Sequence, residues 1–369
     1  MSLNQDAIHG FGAPVLAVCG FSGSGKTTLL QAVIPKLVER GLAVAIVKHD
    51  AHRFEVDKPG KDSDVLFRAG ATITLRGPGQ QFERRGEAAM LSVEATLAHL
   101  GRDHDLLLVE GHKDVSLPKF WLGNAERLAA PENVTNIVRT LEWDSERLTA
   151  FMDYIDAWLP AAWNARPLYR GLLVGGMSTR MGSPKHVLPF GGRAMGEIAA
   201  EALSGGQGDF RTVVLASGLL PENLQRLARL PDCPGFGGPG AGLIAAHRWA
   251  PEAAWIVAAC DHPWLGPKHI EWLAGQRRPG CWAVIPKQGD GHPCPTLALY
   301  EPQALEFLER RFRASGEHDA RPSALLDLPR TRVVEPPAEF ADGWINVNTP
   351  EELRAEEERL ALVRNRSGA

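Results

Sequence analysis

The sequence predicts an α/β fold that occurs in two successive domains of one chain. Near the start of each predicted domain, a short apolar run is followed by a glycine-rich loop and then by helical spacing, at residues 13–40 and again at 171–203. Further apolar runs alternate with helical stretches along both halves. Because alternating strands and helices build parallel sheets covered on both faces, the pattern predicts two such sheets.

Composition limits the classes of function. The 369 residues carry a formal net charge of −4, which gives no general attraction for nucleic acid. The five cysteines are scattered and form no CxxC pair, so neither a disulfide framework nor a cysteine metal site is expected, which suits a reducing cytoplasm. We expect no signal peptide in the first residues and no membrane span, and the length allows two or three domains.

The first glycine-rich loop has the pattern G-x-x-x-x-G-K-T between a predicted strand at 13–19 and a predicted helix at 28–40. In this motif, backbone N–H groups surround the phosphates, the lysine reaches the β- and γ-phosphates, and the hydroxyl ligates Mg²⁺. A chance Gly/Ser-rich turn is the alternative, although both flanks agree with the motif. The sequence therefore predicts a P-loop NTPase-like domain. Its nucleotide-binding residues are Gly20, Gly23, Ser24, Gly25, Lys26, Thr27 and Thr28.

Two carboxylates are candidates to hold the metal ion or its waters beside Thr27. Glu110 and Asp50 each come at the end of a predicted buried strand, where parallel sheets bind their ligands. Glu110 is the first candidate and Asp50 the second, and an ordinary solvated carboxylate is the alternative for either. His49 and His52 lie nearby without a third ligand, which favours polar roles over a metal site.

The second glycine-rich loop reads GG-x-S-x-R-M-G-x-x-K over residues 175–185 and follows a predicted strand at 172–174. Its glycines let backbone N–H groups approach a ligand, and Arg180 and Lys185 supply charge for several phosphates. A simple turn between a strand and a helix is the alternative. The residues predicted to contact the nucleotide here are Leu173, Gly175, Gly176 and Ser178.

The connection between the halves and several later elements follow from apolar spacing. Leu148, Phe151, Ile155 and Leu159 share one helical face, which predicts a helix at 145–159. The prolines that follow predict a short, stiff connector. In the second half, the spacing predicts helices at 194–203 and 221–230 and strands at 212–216 and 255–259.

The loop at 175–185 resembles the signature of the molybdenum cofactor nucleotidyltransferases, most closely the MobA type, the molybdenum cofactor guanylyltransferases. The blocks IVKHDAHRFEVDKPGKDSDVLFRAGA and LLLVEGHKDVSLPKFWL resemble MobB, the small GTP-binding adaptor protein of the same reaction. The resemblance implies a MobB-like P-loop domain at 13–160 and a MobA-like domain at 170–369. The second would have a Rossmann-like nucleotidyltransferase fold of the nucleotide-diphospho-sugar transferase type. Residues 1–12 would be a tail and 161–169 a linker.

The resemblance also extends to the metal site of the second domain. The segment Cys260-Asp261-His262-Pro263 matches C-D-x-P of the family, which implies that Asp261 holds Mg²⁺. A helix N-cap before Pro263 is the alternative for Asp261. Asp232 is a weaker candidate for the nucleotide or metal environment.

Two further segments match the family. Gly240 and Gly242 stand where the family has a G-P-L-A-G-like segment against the nucleotide base, although small residues equally suit a tight start of a helix. Asn346 and Asn348 belong to a match with N-x-N-T-P-E-E-L. The match implies that their amides hold phosphate, water or the metal shell.

The resemblance implies a bifunctional enzyme that transfers GMP from GTP to molybdopterin or Mo-molybdopterin and releases diphosphate. Arg180, Lys185 and Asp261 would be its catalytic residues, with Mg²⁺ as cofactor and a second GTP as ligand of the first domain. Molybdopterin-insertion proteins and apo-molybdoenzymes are expected partners, and the first domain is expected to support a homodimer. No nucleic-acid or membrane partner is expected, and the location is expected to be cytoplasmic.

Two alternatives stay open at this point. One is a CTP-dependent cytidylyltransferase, against which Gly175-Gly176 argues because the cytidylyl relatives more often have Ala-Gly there. The other is a nucleotide-dependent cofactor carrier that does not catalyse the transfer.

Overall fold

The computed structural model describes residues 10–49, 57–143, 146–175, 181–205, 212–216, 220, 222–316 and 320–367. These residues divide into two compact units on either side of the boundary between Asp153 and Tyr154. Each unit contains one large sheet and one two-stranded hairpin. Within the described ranges, no helix combines the length and the apolarity that crossing a membrane requires.

The first unit is built on a five-stranded sheet in the order β2-β5-β1-β6-β7, with all neighbouring strands parallel. Its strands, including the antiparallel β3–β4 hairpin, are β1 (Val15–Gly20), β2 (Val44–Lys48), β3 (Ile73–Gly77), β4 (Gln80–Arg84), β5 (Leu106–Glu110), β6 (Lys119–Leu122) and β7 (Ile137–Leu141). Its helices are α1 (Lys26–Glu39), α2 (Asp62–Arg68) and α3 (Val93–Leu100), with a 3-10 helix at Glu87–Ala89. Helix α4 (Arg147–Ala165) begins in this unit and contains its boundary.

Burial explains why the first sheet forms around β1. Every residue of β1 and β5 is buried, as expected for parallel strands covered on both faces. Their side chains pack with Leu97 of α3 and Trp121 of β6. Because β1 lies between β5 and β6, the loop after β1 and the end of β5 meet at one edge of the sheet.

The second unit is built on a seven-stranded sheet in the order β12-β11-β8-β13-β15-β14-β16. Its strands are β8 (Leu168–Val174), β9 (Pro189–Phe190), β10 (Arg193–Ala194), β11 (Thr212–Ala216), β12 (Ala228–Leu230), β13 (Ala254–Ala259), β14 (Ala283–Pro286), β15 (Leu297–Tyr300) and β16 (Thr331–Val334). Its helices are α5 (Met195–Ser204), α6 (Gly238–Trp249), α7 (Pro267–Ala274), α8 (Pro302–Ser315) and α9 (Pro350–Ser367). Short 3-10 helices lie at Lys185–Val187, Glu222–Leu224, Pro322–Asp327 and Ala341–Trp344.

The direction of the strands decides which loops of the second unit lie together. Strand β15 runs antiparallel to its neighbours β13 and β14, and the other neighbouring pairs of this sheet are parallel. Strands β8 and β13 pair in register from Leu168 with Ala254 to Leu173 with Ala259. The segments that follow these two strands therefore leave the sheet side by side.

The structure confirms the α/β fold class and corrects two local predictions. The helix predicted at 221–230 is wrong, because the structure has a 3-10 helix at Glu222–Leu224 and then β12, which pairs with β11. Strand β12 has only three residues, too few for their spacing to distinguish strand from helix, and the pairing with β11 decides it. The prediction of an irregular connector is also wrong for residues 161–165, because α4 continues through Pro160 to Ala165. The domain bounds at 160 and 170 stay predictions.

Candidate nucleotide-binding sites

The first candidate site is the loop between β1 and α1. Gly20 ends β1 where a side chain has no room, since a Cβ there would lie 2.5 Å from both the Leu122 carbonyl oxygen and Ser24 Oγ. Gly25 precedes α1 with φ of 83°, a left-handed conformation that glycine adopts without strain. These glycines let the loop close tightly over the start of α1, where backbone N–H groups are available to an anion.

The side chains predicted to hold the triphosphate and its metal meet at this loop. Lys26 Nζ donates to the Phe21 carbonyl at 2.8 Å. Thr27 Oγ1 donates to Glu110 Oε1 at 2.9 Å, and Lys48 Nζ lies 3.6 Å from the same oxygen. Burial lowers the pKa of Lys26, and the Glu110 carboxylate partly offsets this. Thr27 and Glu110 thus place two oxygen donors side by side, which is the ligand type that Mg²⁺ takes.

The second candidate site lies where β13 ends. Lys185 Nζ donates to Asp261 Oδ2 at 3.0 Å and to Asn348 Oδ1 at 2.9 Å. The side chains of Lys185 and Asp261 are 17% and 18% exposed, so a ligand can reach both. The Val347 N–H donates to the Asp261 carbonyl at 2.9 Å, and the Asn348 N–H donates to Glu352 Oε2 at 2.6 Å. Three segments that are distant in the sequence are thereby fixed around one lysine.

The second oxygen of Asp261 is suited to a cation. Asp261 Oδ1 is buried and has no hydrogen-bond partner among the described residues. His262 Nε2 lies 3.5 Å from it and 3.6 Å from Cys294 Sγ. Burial opposes protonation of His262, but its contacts with Cys294 and Asp261 outweigh burial and raise its pKa. Together with the phosphates and water of a bound nucleotide, this carboxylate oxygen would complete a single-carboxylate Mg²⁺ site.

The described ranges contain no group of three or more His, Cys, Asp or Glu side chains arranged to hold a metal ion. Magnesium sites at nucleotides commonly use one or two carboxylates together with the phosphates of the substrate. Asp261 in the second unit, and Thr27 with Glu110 in the first, are donor sets of that kind.

The two glycines of α6 have packing contacts within the unit. The Gly240 N–H donates to the Ala320 carbonyl at 2.9 Å, and a Cβ on Gly240 would lie 2.4 Å from that oxygen. A Cβ on Gly242 would lie 3.1 Å from Leu215 Cβ and 3.7 Å from Asp232 Oδ1. For Gly240, the contact with Ala320 favours the tight helix start over contact with a base. Asp232 lies next to α6 beyond the end of β12.

The structure describes some of the other predicted site residues and not the rest. Four of them lie outside the described residues: Asp50, Gly176, Ser178 and Arg180. Leu173 is buried in β8, and Gly175 follows that strand. Val347 is fully buried between the half-buried Asn346 and Asn348. Gly23 and Thr28 lie exposed at the first loop.

Comparison with known proteins assigns the two halves. Residues 15–140 match the family model of the molybdopterin guanine dinucleotide synthesis protein B, MobB, and residues 171–329 match that of the MobA-like NTP transferase domain. The chain is 35% identical over 160 residues to the molybdopterin-guanine dinucleotide biosynthesis adapter protein of Haemophilus influenzae, covering 40% of this chain and 89% of that protein. It is 31% identical over 189 residues to the probable molybdenum cofactor guanylyltransferase of Pelotomaculum thermopropionicum, covering 49% and 88%.

The chain belongs to both families, the MobB adapters and the molybdenum cofactor guanylyltransferases. It is also 27% identical over 187 residues to the molybdenum cofactor biosynthesis bifunctional protein of Synechocystis, covering 50% of this chain and 52% of that protein. The resemblance that the motifs predicted is therefore confirmed for both halves. The first unit, which ends at Asp153, is therefore a MobB-type unit, and the second unit, which begins at Tyr154, is a MobA-type unit.

Sequence reasoning missed two cations of the MobB-type unit. Lys48 is the last residue of β2 and lies near Glu110 because β2 and β5 are neighbouring strands. No sequence motif predicts this contact. Arg147 donates to the carbonyl of Ser24 in the phosphate-binding loop although 123 positions separate the two residues. The missed residues share one property, which is that only the fold brings them to the loop.

Proposed function

We propose that this chain makes the guanine dinucleotide form of the molybdenum cofactor. The MobA-type unit transfers GMP from GTP to molybdopterin or Mo-molybdopterin and releases diphosphate. The MobB-type unit is a fused adaptor that binds GTP. Membership of both families supports the assignment. The single observation that carries the catalytic part is the convergence of Lys185, Asp261 and Asn348 at one edge of the sheet.

The transfer requires positioning and charge stabilisation. A terminal phosphate oxygen of the pterin attacks the α-phosphorus of GTP, a new P–O bond forms, and the bond to the β-phosphate oxygen breaks. Because the nucleophile is already an anion, no general base is needed. The Lys185 ammonium has three N–H donors, and its two described bonds go to groups that a bound triphosphate can replace. Arg180 is proposed as a second cation at the phosphates.

The proposal includes Mg²⁺ at both sites. Asp261 would hold it in the MobA-type unit through Oδ1, which has no hydrogen-bond partner among the described residues. Thr27 with Glu110 would hold it in the MobB-type unit. When bound, the ion offsets the negative charge of the triphosphate and of the departing diphosphate. The chain supplies the carboxylate and hydroxyl oxygens that would bind the ion.

The finer contacts and the partners belong to the same proposal. The GTP of the MobA-type unit would contact Leu173, Gly175, Gly176, Ser178, Asp232, Gly240, Gly242, Asn346 and Asn348. The Gly240 N–H already donates to the Ala320 carbonyl, so it is not free to donate to GTP. Homodimerisation through the MobB-type unit, transfer to insertion proteins and apo-molybdoenzymes, and a cytoplasmic location complete the proposal.

A product assay tests the proposal. The full chain is incubated with Mg²⁺, molybdopterin and either GTP or CTP, and the dinucleotide and diphosphate are quantified. We expect product with GTP, little product with CTP, and loss of both products in Lys185→Ala. The matched control is Lys268→Ala, which removes a half-exposed lysine of the same unit. Preference for CTP would replace the guanylyl assignment, and binding of GTP and pterin without diphosphate release would favour the carrier alternative.

A further inference from the structure

Arg147, the first residue of α4, is bonded to three parts of the MobB-type unit at once. Its NH1 donates to the Ser24 carbonyl of the phosphate-binding loop at 2.6 Å. Its NH2 donates to the Gly123 carbonyl after β6 at 2.6 Å and to the Leu141 carbonyl at the end of β7 at 3.3 Å. Its Nε donates to the Glu142 carbonyl at 2.6 Å. One guanidinium therefore fixes the loop to the ends of two strands.

The bond to Ser24 fixes one peptide group of the loop. In a trans peptide, the C=O of one residue and the N–H of the next point in opposite directions. With the Ser24 carbonyl held by Arg147, the Gly25 N–H faces away from the guanidinium. Gly25 has φ of 83°, and glycine at this position lets the peptide rotate at little cost unless another group holds it.

The orientation of this peptide matters because of where it lies in the motif. The N–H groups between Gly23 and Lys26 are those with which a phosphate-binding loop surrounds its anion. A rotated Ser24–Gly25 peptide would present a carbonyl oxygen to the phosphates, which repels them. The Arg147 guanidinium also lies close to Gly25, since a Cβ added to Gly25 would be 3.5 Å from NH1. Its positive charge therefore adds to the attraction of the loop for an anion.

We infer that Arg147 is a positioning residue for the nucleotide of the MobB-type unit, because it directs the Gly25 N–H into the phosphate site. It acts through the loop, with no contact to the nucleotide required. The inference rests on the proposed binding of a nucleotide triphosphate by this unit. It requires a planar guanidinium, since donors in three directions are needed to span the three backbone segments and a lysine supplies a single point of charge.

The test measures GTP binding to the full chain with Mg²⁺ by titration calorimetry. The binding that Lys26→Ala abolishes defines the site of the MobB-type unit and separates it from the other GTP site. At that site, we expect Arg147→Ala to weaken binding by about tenfold or more, a typical effect of losing a charge-assisted hydrogen bond. Arg147→Lys should lose nearly as much, and added methylguanidinium should restore part of the affinity of Arg147→Ala.

Arg139→Ala is the matched control. Arg139 lies on β7, is exposed, and donates to the Ala150 carbonyl of α4 at 3.2 Å, so its removal also loses an arginine–carbonyl bond to this helix. We expect the affinity of Arg139→Ala for GTP to stay within about twofold of wild type. The reason is that Arg139 bonds a carbonyl of α4, whereas Arg147 bonds a carbonyl of the phosphate-binding loop.

The outcomes separate a positioning role from a purely structural one. If Arg147 only stabilised the fold, its variants would unfold at a lower temperature without ligand, but GTP would raise that temperature as much as in wild type. The inference expects the GTP-dependent increase to shrink. If Arg147→Ala does not fold, the GTP affinity of Arg147→Lys tests the inference instead. Wild-type affinity for GTP in either variant overturns the inference. If Lys26→Ala abolishes no binding, the nucleotide site itself is wrong.

Discussion

Lys185 Nζ lies 3.0 Å from Asp261 Oδ2, although 76 positions separate the two residues in the sequence. Asp261 follows β13, and β8, the strand that precedes Lys185 in the sequence, pairs with β13 in parallel, so both strands run towards the same edge of the sheet. Asn348 holds the lysine from a third segment at 2.9 Å. The ammonium is thus held between the proposed metal carboxylate and an amide, where it can exchange these oxygens for those of phosphates.

Lys185→Met should remove catalysis while leaving the fold intact. The substitution keeps the length of the side chain but removes the charge that stabilises the triphosphate and the transition state. We expect the rate of diphosphate release to fall by about a hundredfold or more, as for the loss of one preorganised electrostatic donor. A coupled assay for diphosphate measures it. A fall of less than about threefold would remove Lys185 from the site, and Lys268→Met controls for loss of any lysine on this unit.

The sequence predicts a candidate site residue most directly where the signal is contiguous. The loop Gly20–Thr27 was predictable because the motif and both flanking elements lie within one short stretch. Lys185 and Asp261 were each predictable from a local pattern, but their contact depends on strand order. Arg147 was not predictable, since a single arginine carries no pattern and reaches the loop only through the fold.

The same distinction explains the fold-level errors. Strand β12 is three residues long, and only its pairing with β11 makes it a strand instead of the predicted helix. At the connector, the prolines signalled a break, yet α4 continues to Ala165. The Trp163 ring is buried there and donates to Glu301 at 3.1 Å. Tertiary contacts of this kind outweigh the helix-breaking tendency of the prolines, and the sequence alone does not predict them.

Gly240→Ala should destabilise the MobA-type unit. Helix propensity alone would favour alanine by about 1 kcal/mol. However, the new Cβ would lie 2.4 Å from the Ala320 carbonyl oxygen, an overlap that α6 relieves only by moving. We expect a net loss of about 1 kcal/mol or more in the free energy of unfolding, measured with urea.

Gly289→Ala is the control, because a Cβ there meets nothing within 4 Å. Its free energy of unfolding should stay close to that of wild type. If Gly240→Ala instead kept its stability and lost affinity for GTP, contact with the base would explain this glycine better than packing does.

The pH dependence of stability should carry a contribution from Glu306. The hydrogen bond with His247 at 3.1 Å, opposed by burial and aided by Arg310, lowers the pKa of Glu306 from 4.5 to about 2. A carboxylate with a lowered pKa in the folded state stabilises the fold above its ordinary pKa, and this contribution disappears as the pH falls through the folded value. The stabilisation is therefore complete above pH 4.5 and is lost towards about pH 2.

Glu306→Gln tests this assignment. The difference in the free energy of unfolding between wild type and Glu306→Gln should be largest near neutral pH and should shrink between about pH 4.5 and about pH 2. Denaturant titrations at several pH values measure it. Glu335→Gln, at a side chain that is 82% exposed, should give a small difference at every pH. A difference for Glu306→Gln that does not change with pH would assign the effect to packing.

Glu301 should be a major determinant of stability but not of catalysis. Its carboxylate is fully buried and accepts bonds from Arg277 at 2.8 Å and from Arg166 at 2.8 Å. Glu301→Gln leaves two guanidinium groups buried without their anion, and we expect it to cost about 3–5 kcal/mol in the free energy of unfolding. Glu335→Gln, which breaks an exposed pair with Lys287, should cost at most about 1 kcal/mol.

The position of Glu301 separates these two effects. It follows β15, which runs antiparallel to β13, so it lies at the end of the sheet opposite to the segment that carries Asp261. The folded fraction of Glu301→Gln should therefore release diphosphate at the wild-type rate per folded molecule when assayed well below its unfolding temperature. A changed KM for GTP in the fully folded variant would show instead that this buried network shapes the site at the other edge of the sheet.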